Sequence, residues 1–271
     1  MAYWTKGDSG SVVSWGSANF YSTLLAGISP ARATVFVGAD TPDVTAFQAF
    51  AATSIPGLKM CRATISAYAG STPYLGNAGT LAYDMGGYAL HVPGWQWTAS
   101  TPAVHDITEF NPSVVWRSFM PDIFQAACSF TAGIDSATAV VLPPAPAASL
   151  PVLTLTYKTG GTLASSAIIS SLNSTIAVRN KNVAAYNVKM TGTTTAAGGI
   201  FGTKTFGSTI NTDPLWSAGG AAVGALVIQA YSGRTYTFAD SMWTRIQLTC
   251  EVGAPVRVDI DVQGSGALTV A

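Results

Sequence analysis

Charge is scarce in this chain: 10% of its 271 residues are Asp, Glu, Lys or Arg, against about 25% in an average globular protein. Lys and Arg number 13, as do Asp and Glu, so the formal net charge is zero. Without clustered cations a protein cannot displace the counterions that sheathe nucleic-acid phosphates, so no sequence-specific nucleic-acid partner is expected. The densest basic run, Arg179-Asn180-Lys181, reads as a solvated hairpin tip. Zero net charge also removes one brake on self-association. A neutral, Ser/Thr-rich surface either stays in water or is covered by a partner, the simplest being another copy of the chain.

Histidine and cysteine are equally sparse. The two histidines are His91 and His105. His105 is followed by Asp106, but neighbours on a strand point to opposite faces, which is poor placement for a catalytic dyad. Cys61, Cys128 and Cys250 have no metal-ligand spacing and leave one thiol over in any disulfide scheme. Their apolar, strand-like surroundings predict buried free thiols of a protein made in a reducing cytoplasm. No HExxH, P-loop, GxSxG, dinucleotide fingerprint or EF-hand loop is present. Asp259 and Asp261 share a strand face, with Glu251 across a hairpin; they could be paired acids or calcium ligands, but Arg257 on the same face makes a charge ladder the better reading. The expectation is a non-enzyme with no catalytic, cofactor-binding or metal-binding residues.

Membrane and export signals are missing too. The apolar stretch from Ala137 to Leu155 is broken by Pro143, Pro144, Pro146 and Pro151, so no membrane partner is expected. Met1 to Asp8 lack the charged start and apolar run of a signal peptide. On that reading the Asn173-Ser174-Thr175 sequon carries no meaning.

What the chain does contain is strand pattern, written twice. Asp43-Val44-Thr45-Ala46-Phe47, then Pro56-Gly57-Leu58, then a strand from Ala63 to Gly70, has the same order as Asp106-Ile107-Thr108-Glu109-Phe110, Pro121-Asp122-Ile123 and a strand from Ala127 to Gly133. Later, Leu153-Thr154-Leu155-Thr156-Tyr157 with Gly160 matches Val227-Ile228-Gln229-Ala230-Tyr231 with Gly233, and the segment from Thr175 to Gly192 lies without a gap on that from Gln247 to Gly264. The halves run A, A, B, B. This order predicts an N-terminal arm over 1-30, a discontinuous outer β unit over 31-87 and 201-271, and an inserted β unit over 88-200; crossed pairing of the halves fits the same matches.

Thr244 to Cys250 and Val256 to Val262 alternate with period two, as an antiparallel sheet with one buried face requires. Helical pattern is confined to 46-52 and 167-172, whereas 70-87, 193-199 and 217-224 read as Gly/Ser/Thr/Ala-rich loops. The fold class is mainly β: antiparallel sandwich or barrel units, duplicated, with few short helices.

The elements Trp95, Asp106-Ile107-Thr108-Glu109-Phe110, Pro121-Asp122-Ile123 and Gly192 together resemble the tail-tube fold of long-tailed bacteriophages. The outer copy repeats them with Asp43-Val44-Thr45-Ala46-Phe47, Pro56-Gly57-Leu58 and Gly264, but without the starting Trp. The resemblance implies a virion structural protein, made in the host cytoplasm, whose partners are itself and other virion proteins. It further implies a ring of neighbouring sheets lining a continuous barrel, hexameric with one copy per chain and trimeric with two. A tail tube subunit is the first expectation; the same fold also serves in hubs and in capsid decoration or cement proteins. An alternative of another class is a carbohydrate-binding adhesin or lectin, in which Trp95 and Trp97, on one strand face, stack on sugars; core packing or subunit anchoring is the competing reading of those rings.

Overall fold

The computed structural model describes residues 13–15, 28–45, 54, 57–70, 81–83, 91–101, 104–108, 115–121, 125–134, 149–158, 161–175, 182–206, 225–231 and 234–271. In chain order its strands are β1 (Val13–Trp15), β2 (Ile28–Ala39), β3 (Lys59–Ala69), β4 (Leu81–Tyr83), β5 (His91–Ser100), β6 (Val104–Asp106), β7 (Phe119–Pro121) and β8 (Gln125–Ile134). They continue with β9 (Ser149–Lys158), β10 (Gly161–Thr175), β11 (Asn182–Ala197), β12 (Lys204–Phe206), β13 (Leu226–Tyr231), β14 (Arg234–Glu251) and β15 (Arg257–Val270). The mainly-β antiparallel expectation holds, and the one helical element among the described residues is a 3₁₀ turn, Gly199–Phe201.

Two corrections concern local pattern. Residues 167–172 are strand, not helix: they lie within β10, where Ala167 and Ile169 are buried and Ile168 and Ser170 are exposed. Six residues are too few to separate a helix from a strand by period, and pairing with β11 decided it. Of residues 193–199, read as a loop, 193–197 extend β11, with 195–197 paired to β10 and 194–196 to β12; Thr194 and Ala196 are buried there. The helix expected over 46–52, the basic run 179–181 and the loop at 217–224 fall outside the described residues, as does nearly all of the arm.

Thirteen strands form one sheet, with β6 and β7 paired separately. Along its path the sheet divides into two runs with the same internal order. One runs β2-β3-β15-β14, then β13 and β1; the other runs β5-β8-β11-β10-β9-β4. Ranked by position in the chain within its own run, each reads second, third, sixth, fifth, fourth, first. The second run, with β12, occupies the chain between β3 and β13. It spans more than residues 88-200: β4 pairs with β9 and β12 with β11, so it reaches from Leu81 to Phe206.

The long strands bend. Over its 18 residues β14 shifts register between Phe238 and Asp240 and again between Trp243 and Arg245. Each shift re-phases the alternation, keeping Phe238, Trp243 and Leu248 all inward. In the second run Phe201 touches Trp97 of β5 and Tyr157 of β9, with ring centroids 6.0 and 6.2 Å apart. Those strands stand four places apart, roughly 19 Å in a flat sheet. The sheet therefore curls until its two ends close on one core, giving a sandwich-like layer.

Candidate assembly surface

Burial decides the fate of the residues that could carry chemistry. Trp95 and Trp97 are 2% and 0% exposed, which corrects the sugar-platform reading: rings inside the core cannot stack on a ligand. Trp97 Nε1 donates to Met190 Sδ at 3.2 Å, and its ring packs on Phe201 and Phe206. Their position on one strand face was legible; which face was inward was set by the rest of the sheet.

Cys61, Cys128 and Cys250 are buried and form no disulfide. Desolvation pushes the Cys61 thiol up to about 11 and raises that of Cys128 further, so neither is a ready thiolate nucleophile. Asp259 and Asp261 lie on the face of β15 away from the core, Asp259 buried beneath its partners and Asp261 half-buried, each taken by an arginine: Arg257 Nε lies 3.0 Å from Asp259 Oδ2, and Arg245 Nε lies 2.8 Å from Asp261 Oδ2. Ser66 Oγ adds a bond to Asp259 Oδ1 at 2.6 Å. With their oxygens so engaged, the two carboxylates read as the expected charge ladder. No cluster of metal-ligating side chains occurs among the described residues. His105, on β6, is exposed.

The same solvent face continues across the second run as a shallow trough of about 560 Å³, with Gln96, Ser129, Asn187, Thr249 and Glu251 along it. Its lining, from four adjacent strands, mixes these polar groups about equally with apolar surface from residues such as Pro93, Phe130 and Val252, without an acid and base held against each other.

The most constructed feature is the joint between the two runs. Residues 245–251 of β14 pair antiparallel with 94–100 of β5, seven residue pairs long. Above it residues 104–108 and 115–121 of the second run lie on the first. Lys59 N donates to Val115 O and Arg117 N to Lys59 O, both at 2.9 Å, while Gly266 N donates to Arg117 O at 2.9 Å and Phe119 N to Ser265 Oγ at 3.0 Å. Lys59 Nζ sits 5.7 Å from the Trp116 ring centroid. Arg117 then spans the joint with its side chain, Nη1 on Asp106 and Nη2 on Asp40.

The repeated Asp-x-Thr motif folds the same way twice. Asp43 Oδ1 accepts from Thr45 N at 2.8 Å and from Thr45 Oγ1; Asp106 Oδ1 accepts from Thr108 N at 3.0 Å and from Thr108 Oγ1. These bonds hold both carboxyls below the usual carboxylate range, with Arg117 adding to the effect at Asp106. Each motif is an Asx-type turn early in the crossing from one strand of its run to the next, after β2 and after β5.

Strand edges complete the surface. Among the described residues β2 pairs only with β3, leaving one side of a 12-residue strand open. In β10, residues up to Ile168 pair with β9, and among the described residues 169–175 pair with β11 alone. Comparison of the chain with protein-family models, with curated proteins and with solved structures finds no match.

Proposed function

We propose that the protein is a non-enzymatic bacteriophage virion structural protein, a tail tube subunit that assembles into rings. The observation that carries this reading is the shared strand order of the two runs together with the paired Asp-x-Thr turns. We take each run as one copy of a repeated unit, the second inserted in the first, so that one chain supplies two positions of a ring built from like positions. A trimer of such chains has six. The engaged carboxylates of Asp259 and Asp261, the buried thiols and the low overall charge fit a protein that acts by shape.

The sequence resemblance to tail-tube proteins supplies the place in the particle, and a capsid decoration or cement protein is the second reading, favoured by the neutral Ser/Thr-rich outer strands. Absolute mass by light scattering across concentration, with negative-stain images of the same sample, tests the choice. Rings or stacked tubes are expected. A chain that stays monomeric alone but binds a capsid lattice would replace the tail tube with the decoration reading.

A further inference from the structure

The trough on the second run lies where the first run is filled, although the two faces are built from matching positions. Gly70 closes β3 and Gly133 closes β8, so Ser66 corresponds to Ser129 and Tyr68 to Thr131. The ungapped match of 175–192 with 247–264 sets Asn187 against Asp259 and Ala185 against Arg257. Strand pairing agrees: Ser66 faces Asp259 as Ser129 faces Asn187, and Tyr68 faces Arg257 as Thr131 faces Ala185.

Size and charge separate the two faces. On the first run Tyr68 and Arg257 are long, and the polar groups are bonded to one another. Ser66 and Arg257 hold Asp259, Arg62 Nε donates to Gln263 Oε1 at 2.9 Å, and Arg245 reaches both Asp261 and Gln247. On the second run Thr131 and Ala185 are short, and Asn187 in place of an aspartate removes the charge. The trough of about 560 Å³ opens over these residues, and a second of about 400 Å³ adjoins it through Gln96, Ser129 and Asn187. Among the described residues the side chains of Gln96, Ser129, Thr131, Thr249 and Glu251 make no hydrogen bond. Asn187 Nδ2 donates to Ser171 Oγ at 2.8 Å, which leaves Oδ1 unbonded.

We propose that this trough binds a neutral oligosaccharide, one per chain. Amides and hydroxyls both donate and accept, as sugar hydroxyls do. The single charged group of the lining, Glu251, stands at one end, so the floor offers little to offset the desolvation of a charged ligand. The apolar share from Pro93, Phe130 and Val252 suits the C–H faces of a pyranose ring. An extended peptide is captured by main-chain bonds at a strand edge. Here β14, β5, β8 and β11 are paired with one another, so side chains alone meet the ligand. Small-molecule sites run from about 300 to 1,000 Å³, and the trough falls within that range. Trp95 and Trp97 point the other way, into the core, so recognition rests on hydrogen bonds without aromatic stacking. The site is independent of the assembly reading, since a monomer and a ring subunit carry the same trough.

The test uses the full-length chain and isothermal titration with uncharged hexasaccharides of glucose, mannose, galactose and N-acetylglucosamine, with a heparin hexasaccharide as the charged control. At least one neutral sugar should bind, one per protein chain, with a dissociation constant of about 1 mM or below. Ala185→Arg with Asn187→Asp rebuilds on the second run the arginine–carboxylate pair of the first. Both positions are exposed, so circular dichroism and melting should match wild type while affinity falls more than about tenfold, the loss of several hydrogen bonds. Gln96→Ala adds no bulk and should weaken binding about two- to tenfold, the worth of one or two neutral hydrogen bonds. Four results would each overturn the proposal: no neutral hexasaccharide bound at roughly 10 mM, two bound per chain, unchanged affinity in the Arg/Asp variant, or equal binding of heparin. Light scattering on the same sample tests the assembly reading separately.

Discussion

Arg117 Nη1 donates to Asp106 Oδ2 at 2.9 Å, and its Nη2 reaches Asp40, so one guanidinium joins a turn of each strand run. The planar fork suits two acceptors at once, which an ammonium cannot match. The groups are partly exposed, so Arg117→Ala should lower stability by only about 1 kcal/mol. Arg117→Lys should restore less than half of it. Urea unfolding followed by tryptophan fluorescence measures both; a loss several times larger would mean the joint depends on this side chain more than on its main-chain bonds.

Acid should act on the same turn. The folded-state pKa of Asp106 is depressed from its ordinary 3.8, chiefly by the bonds from Thr108 and then by Arg117. A depressed carboxyl contributes stability above its unfolded-state value, and that contribution disappears as pH falls from there through the lower folded value. Asp106→Asn should therefore flatten the decline in urea midpoint below pH 4 and leave the slope between pH 6 and 8 unchanged. An identical acid limb in the variant would remove Asp106 from the titration.

Burial of the cysteines predicts slow chemistry. With Cys61 raised to about 11 and Cys128 higher by desolvation, thiolate is rare at neutral pH. Ellman's reagent at pH 8 should leave all three thiols unmodified in the folded protein over minutes and titrate all three in guanidinium. Fast modification of Cys128 in folded protein would contradict its placement.

Gly192 and Gly264 occupy matching places in the ungapped repeat but are glycine for different reasons. Gly192 has φ +77° with open space around it, whereas a Cβ on Gly264 would come within 2.3 Å of Cys61 Sγ and 3.1 Å of Cys61 O. Gly192→Ala should cost about 1–2 kcal/mol from left-handed backbone alone. Gly264→Ala has to displace packed atoms, and overpacking of a filled core typically costs about 1–3 kcal/mol. Thermal unfolding should also separate them by rescue: Cys61→Ala removes the closest contact and should recover part of the Gly264→Ala loss, with Phe238 Cδ1 at 2.9 Å still in the way, and does nothing for Gly192→Ala. Equal rescue of both would refute the assignment.

The aromatic contact closing the second run should be the most sensitive site. Trp97 is fully buried against Phe201 and Phe206. Trp97→Ala should destabilise by about 3–5 kcal/mol, and Trp97→Phe by distinctly less. A fragment spanning 81–206 should unfold cooperatively, while one trimmed to 88–200 loses β4 and both Phe201 and Phe206 and should melt earlier. Equal melting temperatures would show that those flanks add nothing.

Local pattern determined a good deal about this protein. The alternation in residues 244–250 and 256–262 is sufficient for half-buried strands, because a period of two is a property of neighbouring residues. The two Asp-x-Thr motifs carry their own turn, since each Asp bonds the Thr two residues on. Their order, with the matching late strands, predicted a repeat from sequence alone and left nested and crossed pairings of its halves equally open.

Only the tertiary structure decided which face was inside and who stood next to whom. Trp95 and Trp97 share a face in any strand, but sheet curvature, set by bulges in β10 and β14, turned that face to the core. Residues 167–172 have no period long enough to choose helix or strand, and cross-strand bonds to β11 chose for them. The short strands β4 and β12 gain their identity from β9 and β11, which fixed the second run at 81–206. Open edges, too, are invisible in sequence, because an edge is defined by a neighbour that is missing, and neighbours in a sheet of non-consecutive strands are chosen across the whole chain.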